Sequence, residues 1–401
     1  MNERQSRISL DKIILIIGLI IYGAGFSMLY IIFAPLSRSI GLSTNQFGIL
    51  LAVSNVALVF SSFYWGKKSQ SIGRKPVFII GLFSYALAYA LFAFGIQLGL
   101  WGLFATWQLF SILFVIRLIY GGLIGGIQPA AVAYISDSTE DKHRTQGMAL
   151  IGMSSGIGTM IGPALGGGLA FIHPLFPLYF GAALAIIGGL LAMKFLIEPN
   201  QRLQAQPVKN HNLKFYDKRI MPYLIGWAVV FLAFTGTQVI AAFFIEDRLG
   251  VTGYNEIIKA TSIALFSLAL ATTLMQAVVL QLINIPVKIL LRLSFFIFGL
   301  VLLSIPYIEN LNYYYLSFAG IGVAFSMISP VLNSAATLSV EQHEQGEMAG
   351  LLSAAPVVGM IFGPTIGALL YNINPNYPFF FGALAVIVLG IYFQFVKTPN
   401  T

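Results

Sequence analysis

The sequence predicts an all-α polytopic membrane protein with twelve transmembrane helices in two parallel six-helix repeats. Composition gives the first indication, because 58% of the 401 residues are hydrophobic and only 9% are charged. A soluble domain of this length carries far more charge. The apolar runs are long and unalternated, unlike the alternating segments of about ten residues in outer-membrane barrels. Cysteine is absent, which excludes a disulfide framework and a thiolate metal site.

Long apolar segments define the predicted helices, since a helix needs about 20 apolar residues to cross the hydrocarbon core. The first run, Ile13 to Pro35, is too long for the core of a signal peptide and lacks an A-x-A cleavage site. The predicted spans are 12–36, 44–66, 77–98, 103–135, 145–172, 176–197, 219–246, 257–280, 287–306, 312–339, 346–372 and 377–396.

The distribution of Lys and Arg predicts the orientation. With the N-terminus in the cytosol, 18 of the 22 Lys and Arg residues fall on the cytosolic side, three fall outside and one, Arg117, lies within a span. Cytosolic loops of membrane proteins carry this excess. Both termini are therefore predicted to be cytosolic. The net charge of +8 follows from topology and requires no nucleic-acid partner.

An internal repeat supports the two-half architecture. "FPLYFGAALAI" at 176–186 returns as "YPFFFGALAVI" at 377–387, and "GPALGG" at 162–167 returns as "GPTIGA" at 363–368, both 201 residues later. Parallel repeats of this kind, with a site near the midplane, are typical of transporters. The predicted domains are an N-terminal bundle at 1–197, a cytosolic linker at 198–218 and a C-terminal bundle at 219–401.

A basic loop, "GKKSQSIGRKP" at 66–76, separates the second and third spans. Its glycines, Gly66 and Gly73, permit a tight turn, and its cations hold it on the cytosolic side. A plain positive-inside anchor would explain the charge alone. The spacing of the two glycines and the Gly73-Arg74-Lys75 ending favour a specific motif over that alternative.

The fifth span carries a small-residue motif. It reads Gly158-x-x-x-Gly162-Pro163-x-x-Gly166-Gly167. Small residues four positions apart allow helices to pack closely in membranes, and a proline loosens the helix at its position. Generic helix packing would explain a single GxxxG pair, whereas the added GPxxGG predicts a hinge or a seal against ion leak.

Arg117 in the fourth span is followed by Gly121. A charge at membrane depth is costly and usually functional, so Arg117 is a candidate for binding an anionic substrate group or tuning an acid. The alternative is an arginine that snorkels from the outer end of a long helix.

These three motifs resemble those of the major facilitator superfamily, in its twelve-span drug:proton antiporter group, and the resemblance covers almost the whole chain. It implies the major facilitator fold, a gate at the basic loop and, in the fifth span, the antiporter motif that is typical of exporters rather than symporters. The family has Asp where Gln70 stands, and Gln where Tyr120 stands. In this architecture spans 2 and 11 meet, so the resemblance implies that the cytosolic gate partners of the basic loop are Glu341, Glu344 and Glu347.

Proton antiport requires a titratable group, and a buried carboxylate is suited to that role because desolvation raises its pKa. None of the 14 acids falls clearly at the midplane. Three hypotheses remain open: Glu246 titrates in an outer cavity, with Asp247 the weaker candidate; Asp137 serves from the inner side; or coupling is indirect and involves Arg117 and the charge of the substrate.

The predicted cavity is lined by amides and aromatic rings from the inward faces of both halves. Buried amides are costly without a partner, so each faces either the cavity or another helix. The candidates are Tyr22, Phe26, Tyr30, Asn55, Gln128, Gln238, Gln276 and Asn333.

The leading functional prediction is a secondary active exporter of small amphipathic organic compounds, of the multidrug efflux type, that works by proton antiport and alternating access. Export of an endogenous metabolite such as a siderophore is the alternative, and a nutrient symporter is disfavoured by the motif in the fifth span. A membrane enzyme lacks the clustered histidines or carboxylates it would need. The expected partners are substrate, protons and the lipid bilayer, with no cofactor, no metal and no nucleic acid. The expected form is a monomer in a bacterial-type inner membrane.

Overall fold

The computed structural model describes residues 10–138, 144–199, 213–276, 287–341 and 344–395, and these are helical apart from short connections. The helices are α1 (Leu10–Ser39), α2 (Thr44–Ile72), α3 (Arg74–Leu100), α4 (Thr106–Ile124), α5 (Ile127–Ser138), α6 (Arg144–Ala170), α7 (Phe176–Phe195), α8 (Met221–Asp247), α9 (Tyr254–Leu274), α10 (Val287–Ser304), α11 (Leu311–Leu338), α12 (Gln345–Ile373) and α13 (Tyr377–Phe395). A 3₁₀ turn, Ile305–Tyr307, follows α10.

Within the described residues, eleven helical segments are long and apolar enough to cross a membrane. They coincide with eleven of the twelve predicted spans. The remaining predicted span, 145–172, corresponds to α6, which has 27 residues and is interrupted by glycines and serines. The structure thus confirms the predicted all-α polytopic fold.

The fourth predicted span is one segment in sequence but two helices in the structure. The helix α4 ends at Ile124, and α5 begins at Ile127 after the pair Gly125-Gly126. Pro129 lacks the N–H that would bond the Gly125 carbonyl. Regular bonding resumes at Ala130, whose N–H donates to Gly126 O at 3.0 Å.

The chain divides into two compact units. The first unit comprises Met1–Ile32 and Val53–Pro207, and the second comprises Phe33–Ala52 and Val208–Thr401. One end of α1 and one end of α2 therefore belong to the second unit. The predicted boundary at residues 198–218 remains a prediction, and most of that linker, 200–212, lies outside the described residues.

Each unit has its own helix packing. In the first unit, α3 packs against α4, α5 and α7, and α6 packs against α5 and α7. In the second unit, α8 packs against α9, α11, α12 and α13, and α10 packs against α11 and α13. Large apolar side chains such as Phe60, 72% exposed, remain on the surface. A membrane accommodates such residues at no cost, because lipid tails are equally apolar.

Candidate transport site and gates

Arg117 lies at the centre of an aromatic cluster in the first unit. It is only 4% exposed, so its charge is inside the unit. Its guanidinium carbon lies 4.7 Å from the ring centre of Tyr120 and 5.4 Å from that of Phe92. Aromatic faces attract a cation, and more strongly in a desolvated place. The structure therefore provides Arg117 with an aromatic environment that stabilises its charge.

More tyrosines extend this cluster. Tyr85 stacks on Tyr89 with ring centres 4.3 Å apart, and Tyr22 contacts the edge of Tyr85 at 6.2 Å. The Tyr89 hydroxyl donates to Gly25 O at 2.6 Å. Tyr85 and Tyr89 were not among the sequence candidates. Their spacing of four residues on an apolar helix gave no signal beyond ordinary core packing.

The predicted cavity residues have different outcomes. In the first unit, Asn55 is 5% exposed and makes a side-chain hydrogen bond with Tyr30. The ring of Tyr30 also contacts Phe26 at 5.5 Å. The Gln128 amide donates to Ser155 Oγ at 3.2 Å. These amides therefore bond to other helices, which was one of the two roles expected for them.

In the second unit, Asn333 Oδ1 accepts a hydrogen bond from Trp227 Nε1 at 3.2 Å. Trp227 belongs to an aromatic cluster in which Phe234 and Phe325 stack with ring centres 4.5 Å apart. Gln238 is half-buried and Gln276 is exposed. Whether any of these residues contacts a substrate remains a prediction.

The basic stretch at 66–76, predicted as a loop, is helical on both sides of Gly73, because α2 extends to Ile72 and α3 begins at Arg74. Carboxylates of the same unit hold it in place. Arg74 Nε donates to Asp137 Oδ2 at 2.9 Å, and its Nη1 donates to Ser69 Oγ at 2.5 Å. Both members of the Arg74–Asp137 pair are less than one-fifth exposed. Such a pair is screened less than a surface pair. Gln70, at the position of the family's acid, is exposed.

Glu198 supplies a cap that the sequence did not reveal. Its carboxylate accepts hydrogen bonds from the backbone N–H groups of Arg74, at 2.7 Å, and Lys75, at 2.9 Å. These groups open α3, and a carboxylate is favourable at the positive N-terminal end of a helix. Gly73 precedes them with φ 103°, and a Cβ there would meet the Glu198 carboxylate. One hint of such a partner is present in the sequence: Gln70 stands where the family has Asp, so the basic stretch has no acid of its own.

The predicted gate acids in the second unit have a basic partner of their own. Glu344 accepts from Arg219 Nη1 and Nη2 at 3.0 and 2.9 Å, and its Oε2 also accepts the N–H of Glu341. Arg219 also bonds Asp217, and these bonds lower the pKa of that carboxyl. The side chain of Glu347 lies outside the described residues. Pairing of these acids with the basic loop remains a prediction.

The motif of the fifth span packs α6 against α1. A Cβ on Gly158 would meet the backbone oxygen of Ile20, and a Cβ on Gly162 would meet Ser27 Oγ and the backbone oxygen of Ala24. Gly166 is less constrained, since its nearest contact would be with Met28 at 3.3 Å. The helices thus approach at backbone distance along this face.

The second repeat contains the same glycine pattern, 201 residues later. A Cβ on Gly359 would meet Ala228 O, and one on Gly363 would meet Thr235 Oγ1. Thr235 Oγ1 donates to Gly359 O at 3.1 Å and so joins α8 to α12. The internal repeat of the sequence is therefore a repeat of helix packing.

Glu246 and Asp247 end α8 and lie beside Arg38 in the second unit. Arg38 Nη1 donates to Glu246 Oε2 at 2.6 Å, and Arg38 Nη2 donates to Asp247 Oδ2 at 2.6 Å. Glu246 is therefore the acid of an ion pair. Among the described residues, no group of three or more His, Asp or Glu is placed to hold a metal ion.

Comparison with known proteins agrees with this geometry. The sequence profile of the Major Facilitator Superfamily matches residues 15–355 and, in a second match, 285–401. Multidrug resistance protein 1 of Bacillus subtilis is 25% identical over 383 residues, covering 94% of each chain. The class B tetracycline resistance protein of Escherichia coli is 27% identical over 362 residues, covering 87% of this chain and 84% of its own.

Solved structures share the fold. A point mutant of the nucleoside transporter NupG superposes with a TM-score of 0.73 at 16% identity, covering 96% of this chain and 98% of its own. A bacterial homologue of the human lysosomal transporter Spinster, in an inward-facing and occupied conformation, gives a TM-score of 0.71 at 14% identity, covering 96% and 95%. With the family profile matched over nearly its whole length, the chain belongs to the Major Facilitator Superfamily.

Proposed function

We propose that this protein exports small amphipathic organic compounds from the cytosol in exchange for protons. Family membership and the solved neighbours indicate a transporter rather than an enzyme. Drug efflux is supported by the names of its relatives, which include two multidrug resistance proteins of Bacillus subtilis and a quinolone resistance protein, NorA, of Staphylococcus aureus. These names favour drugs over a siderophore as cargo.

The observation that carries the proposal is the end-to-end similarity to the multidrug resistance proteins together with the glycine packing of α6 on α1. Multidrug resistance protein 2 is 24% identical over 398 residues and covers 97% of this chain. The resemblance drawn from the sequence associates the α6 motif with exporters. The structure gives that motif a physical role, because Gly158 and Gly162 lie against backbone atoms of α1.

The candidate site suits amphipathic ligands of low charge. Each unit offers flat aromatic surfaces and amides, the combination usual in small-molecule sites. In the first unit these surround Arg117, and in the second they include Trp227 and Asn333. Aromatic rings and amides of this kind would bind aromatic drugs better than highly charged phosphates.

Coupling to protons is the finer part of the proposal. Arg117 and Asp137 are the groups of the first unit that we propose to take part, Arg117 through its buried charge and Asp137 through its pairing with Arg74 on the inner side. We also propose that the protein crosses a bacterial inner membrane many times and has both termini in the cytosol.

An efflux assay in intact cells tests the export function. Cells that lack their own drug exporters would express the protein and be loaded with a fluorescent amphipathic dye, tetracycline or a quinolone. We expect faster loss of at least one of these compounds than from cells with empty vector, and an Arg117→Gln variant present at the same level should lose the effect. Equal retention of every compound would overturn the proposal.

A further inference from the structure

A basic and aromatic turn leads into α8 in the second unit. The Asp217 N–H donates to Lys214 O at 2.8 Å, and the Met221 N–H donates to Asp217 O at 2.9 Å. These bonds fold the chain into two consecutive turns before the helix. Residues 214–219 are called the anchor turn below. Because α8 is one of the helices long and apolar enough to cross a membrane, the anchor turn lies where the chain meets the membrane surface.

The anchor turn exposes two aromatic rings. Phe215 is 69% exposed and Tyr216 is 55% exposed, and their ring centres lie 5.2 Å apart. Aromatic rings are favourable at the level of the lipid head groups, where one side is apolar and the other is wet. The first turns of α8 also expose apolar side chains, those of Met221 and Ile225. This surface therefore suits a chain that enters lipid.

Two lysines of the anchor turn have no acid to neutralise them. Lys214 and Lys218 are exposed, and neither makes an ion pair within the part of the chain that the structure describes. Asp217 is the one acid of this turn, and it is bound by Arg219, whose Nε and Nη2 donate to its carboxylate at 3.2 and 2.8 Å. The turn therefore presents two positive charges without counter-charges.

The remaining contacts fix where these charges lie. The Lys214 ammonium lies 5.6 Å from the ring centre of Tyr216, and a cation is attracted to an aromatic face. One charge is thus held at the level of the exposed rings. Arg219 Nη2 also donates to Glu344 at 2.9 Å, immediately before α12. Because Arg219 is paired with two acids, its charge stays within the unit and joins the anchor turn to the start of α12.

We propose that the anchor turn binds the head group of an anionic phospholipid, with Lys214 and Lys218 at the phosphate and with Phe215 and Tyr216 at the boundary between head groups and acyl chains. A neutral phospholipid would accommodate the rings but would leave both lysines without a counter-charge. Basic residues beside a membrane-spanning helix are attracted to anionic lipid surfaces. The proposal needs α8 to cross a membrane, but it does not depend on the compound transported or on protons.

Quenching by spin-labelled lipids measures which phospholipid lies at the anchor turn. The chain has no cysteine, so Phe215→Cys is labelled at that position alone with bimane, an apolar fluorophore that takes the place of the ring. The purified protein would be placed in nanodiscs of phosphatidylcholine. A small fraction of either phosphatidylglycerol or phosphatidylcholine would carry a spin label near the head group. The ratio of quenching at equal fractions gives the preference for the anionic lipid.

We expect a preference for phosphatidylglycerol of about 25-fold, because each basic residue near an anionic surface contributes about fivefold. Lys214→Gln and Lys218→Gln should each reduce the preference to about fivefold, and the double variant should show none. High salt should reduce the preference in the same direction. Lys194→Gln is the matched control, since Lys194 is also exposed and lies beside an aromatic ring, that of Phe195. It loses the same charge and should keep the full preference.

A second probe position tests whether the preference belongs to the anchor turn. Bimane at Tyr307→Cys, in place of an exposed ring next to Glu309, should be quenched equally by the two lipids. Soluble glycerol phosphate, added as a competitor, separates a lipid site from a site for free phosphate esters. It should leave the quenching at position 215 unchanged.

Equal quenching by the two lipids at position 215 would overturn the proposal, as would the same loss of preference in Lys194→Gln as in Lys214→Gln. A preference as large at Tyr307→Cys, or displacement of the spin-labelled lipid by glycerol phosphate, would contradict it as well. Size-exclusion chromatography restricts the comparison to variants that elute as a single symmetric peak. Because no transport is measured, failure of the lipid site and failure of the exporter function give separate results.

Discussion

Gly162 provides the sharpest test of the packing between α1 and α6. A Cβ at this position would overlap Ser27 Oγ and the Ala24 carbonyl oxygen. The first is a side-chain atom and is removable by mutation, whereas the second is backbone and moves only if the two helices separate. The substitution Gly162→Ala therefore requires α1 and α6 to separate until the new Cβ clears the Ala24 oxygen.

The magnitude follows from two opposing effects. Overpacking a well-packed site costs about 1–3 kcal/mol, and a backbone obstacle places Gly162→Ala near 3 kcal/mol. Replacing glycine by alanine in a helix returns about 1 kcal/mol. The net loss of unfolding free energy is about 2 kcal/mol, or roughly 30-fold in the folded-to-unfolded ratio.

Two glycines of the same helix provide matched controls. A Cβ on Gly156 or Gly168 would meet no atom within 4 Å, so alanine there gains the helix preference without a clash. Reversible denaturation in mixed micelles should show Gly168→Ala equal to or about 1 kcal/mol more stable than wild type. The matched pair Gly162→Ala and Gly168→Ala should then differ by about 3 kcal/mol, and drug efflux should fall only in Gly162→Ala.

A second mutation separates the two obstacles. Ser27→Ala removes one obstacle to Gly162→Ala and should restore part of its stability. The same Ser27→Ala should not help Gly158→Ala, whose Cβ meets the backbone oxygen of Ile20. If Gly162→Ala matches Gly168→Ala in stability and efflux, or if Ser27→Ala rescues both variants equally, the reasoning from backbone contact is refuted.

Three further predictions follow from the site. Glu198→Gln weakens the charged cap on α3 and should lower the unfolding free energy by about 1–2 kcal/mol. The control Glu256→Gln removes an exposed ion pair with Lys259 at 3.8 Å and should change the unfolding free energy by about 0–0.5 kcal/mol. An equal effect of the two substitutions would contradict the role of Glu198 as a cap. Arg117→Lys keeps the charge but loses the planar guanidinium that faces Tyr120. Drug efflux should therefore be lost although the variant is present in the membrane in the same amount as wild type. Full efflux would show that transport does not need the planar group. The bonds from Arg219 lower the pKa of Asp217, so its contribution to stability is present above its ordinary pKa of about 4 and disappears as the pH falls through the lower folded value. Thermal unfolding of Asp217→Asn and wild type should therefore differ near neutral pH and converge below about pH 4. A difference that widens in acid would contradict the predicted direction of this pH dependence.

Helix positions could be predicted from the sequence because the bilayer imposes a length on each apolar run. The third predicted span, 77–98, lies within α3 at Arg74–Leu100, and the tenth, 312–339, corresponds to α11 at Leu311–Leu338. The break between α4 and α5 was not predicted, although Pro129 was visible. A proline in a long apolar run permits a break, but whether one forms depends on how neighbouring helices pack.

The charge partners could not be predicted, because each pair joins residues far apart in the chain. Glu198 bonds backbone groups 124 and 123 residues earlier, and Arg38 bonds Asp247 across 209 residues. Counting acids along the chain placed Glu246 and Asp137 at helix ends, where the structure also has them. Their roles depend on which cation the fold places beside each of them, and only the tertiary structure shows that pairing.

Proton-driven transport by inverted membrane vesicles tests the central claim most directly. Vesicles containing the protein, with the cytosolic face outward and an acidic interior, would be given a fluorescent amphipathic drug. The account predicts that the drug accumulates inside, that alkaline pulses appear in the interior as protons leave, and that collapse of the gradient abolishes both. Accumulation equal to that of empty vesicles, or accumulation that persists unchanged without the gradient, would contradict it.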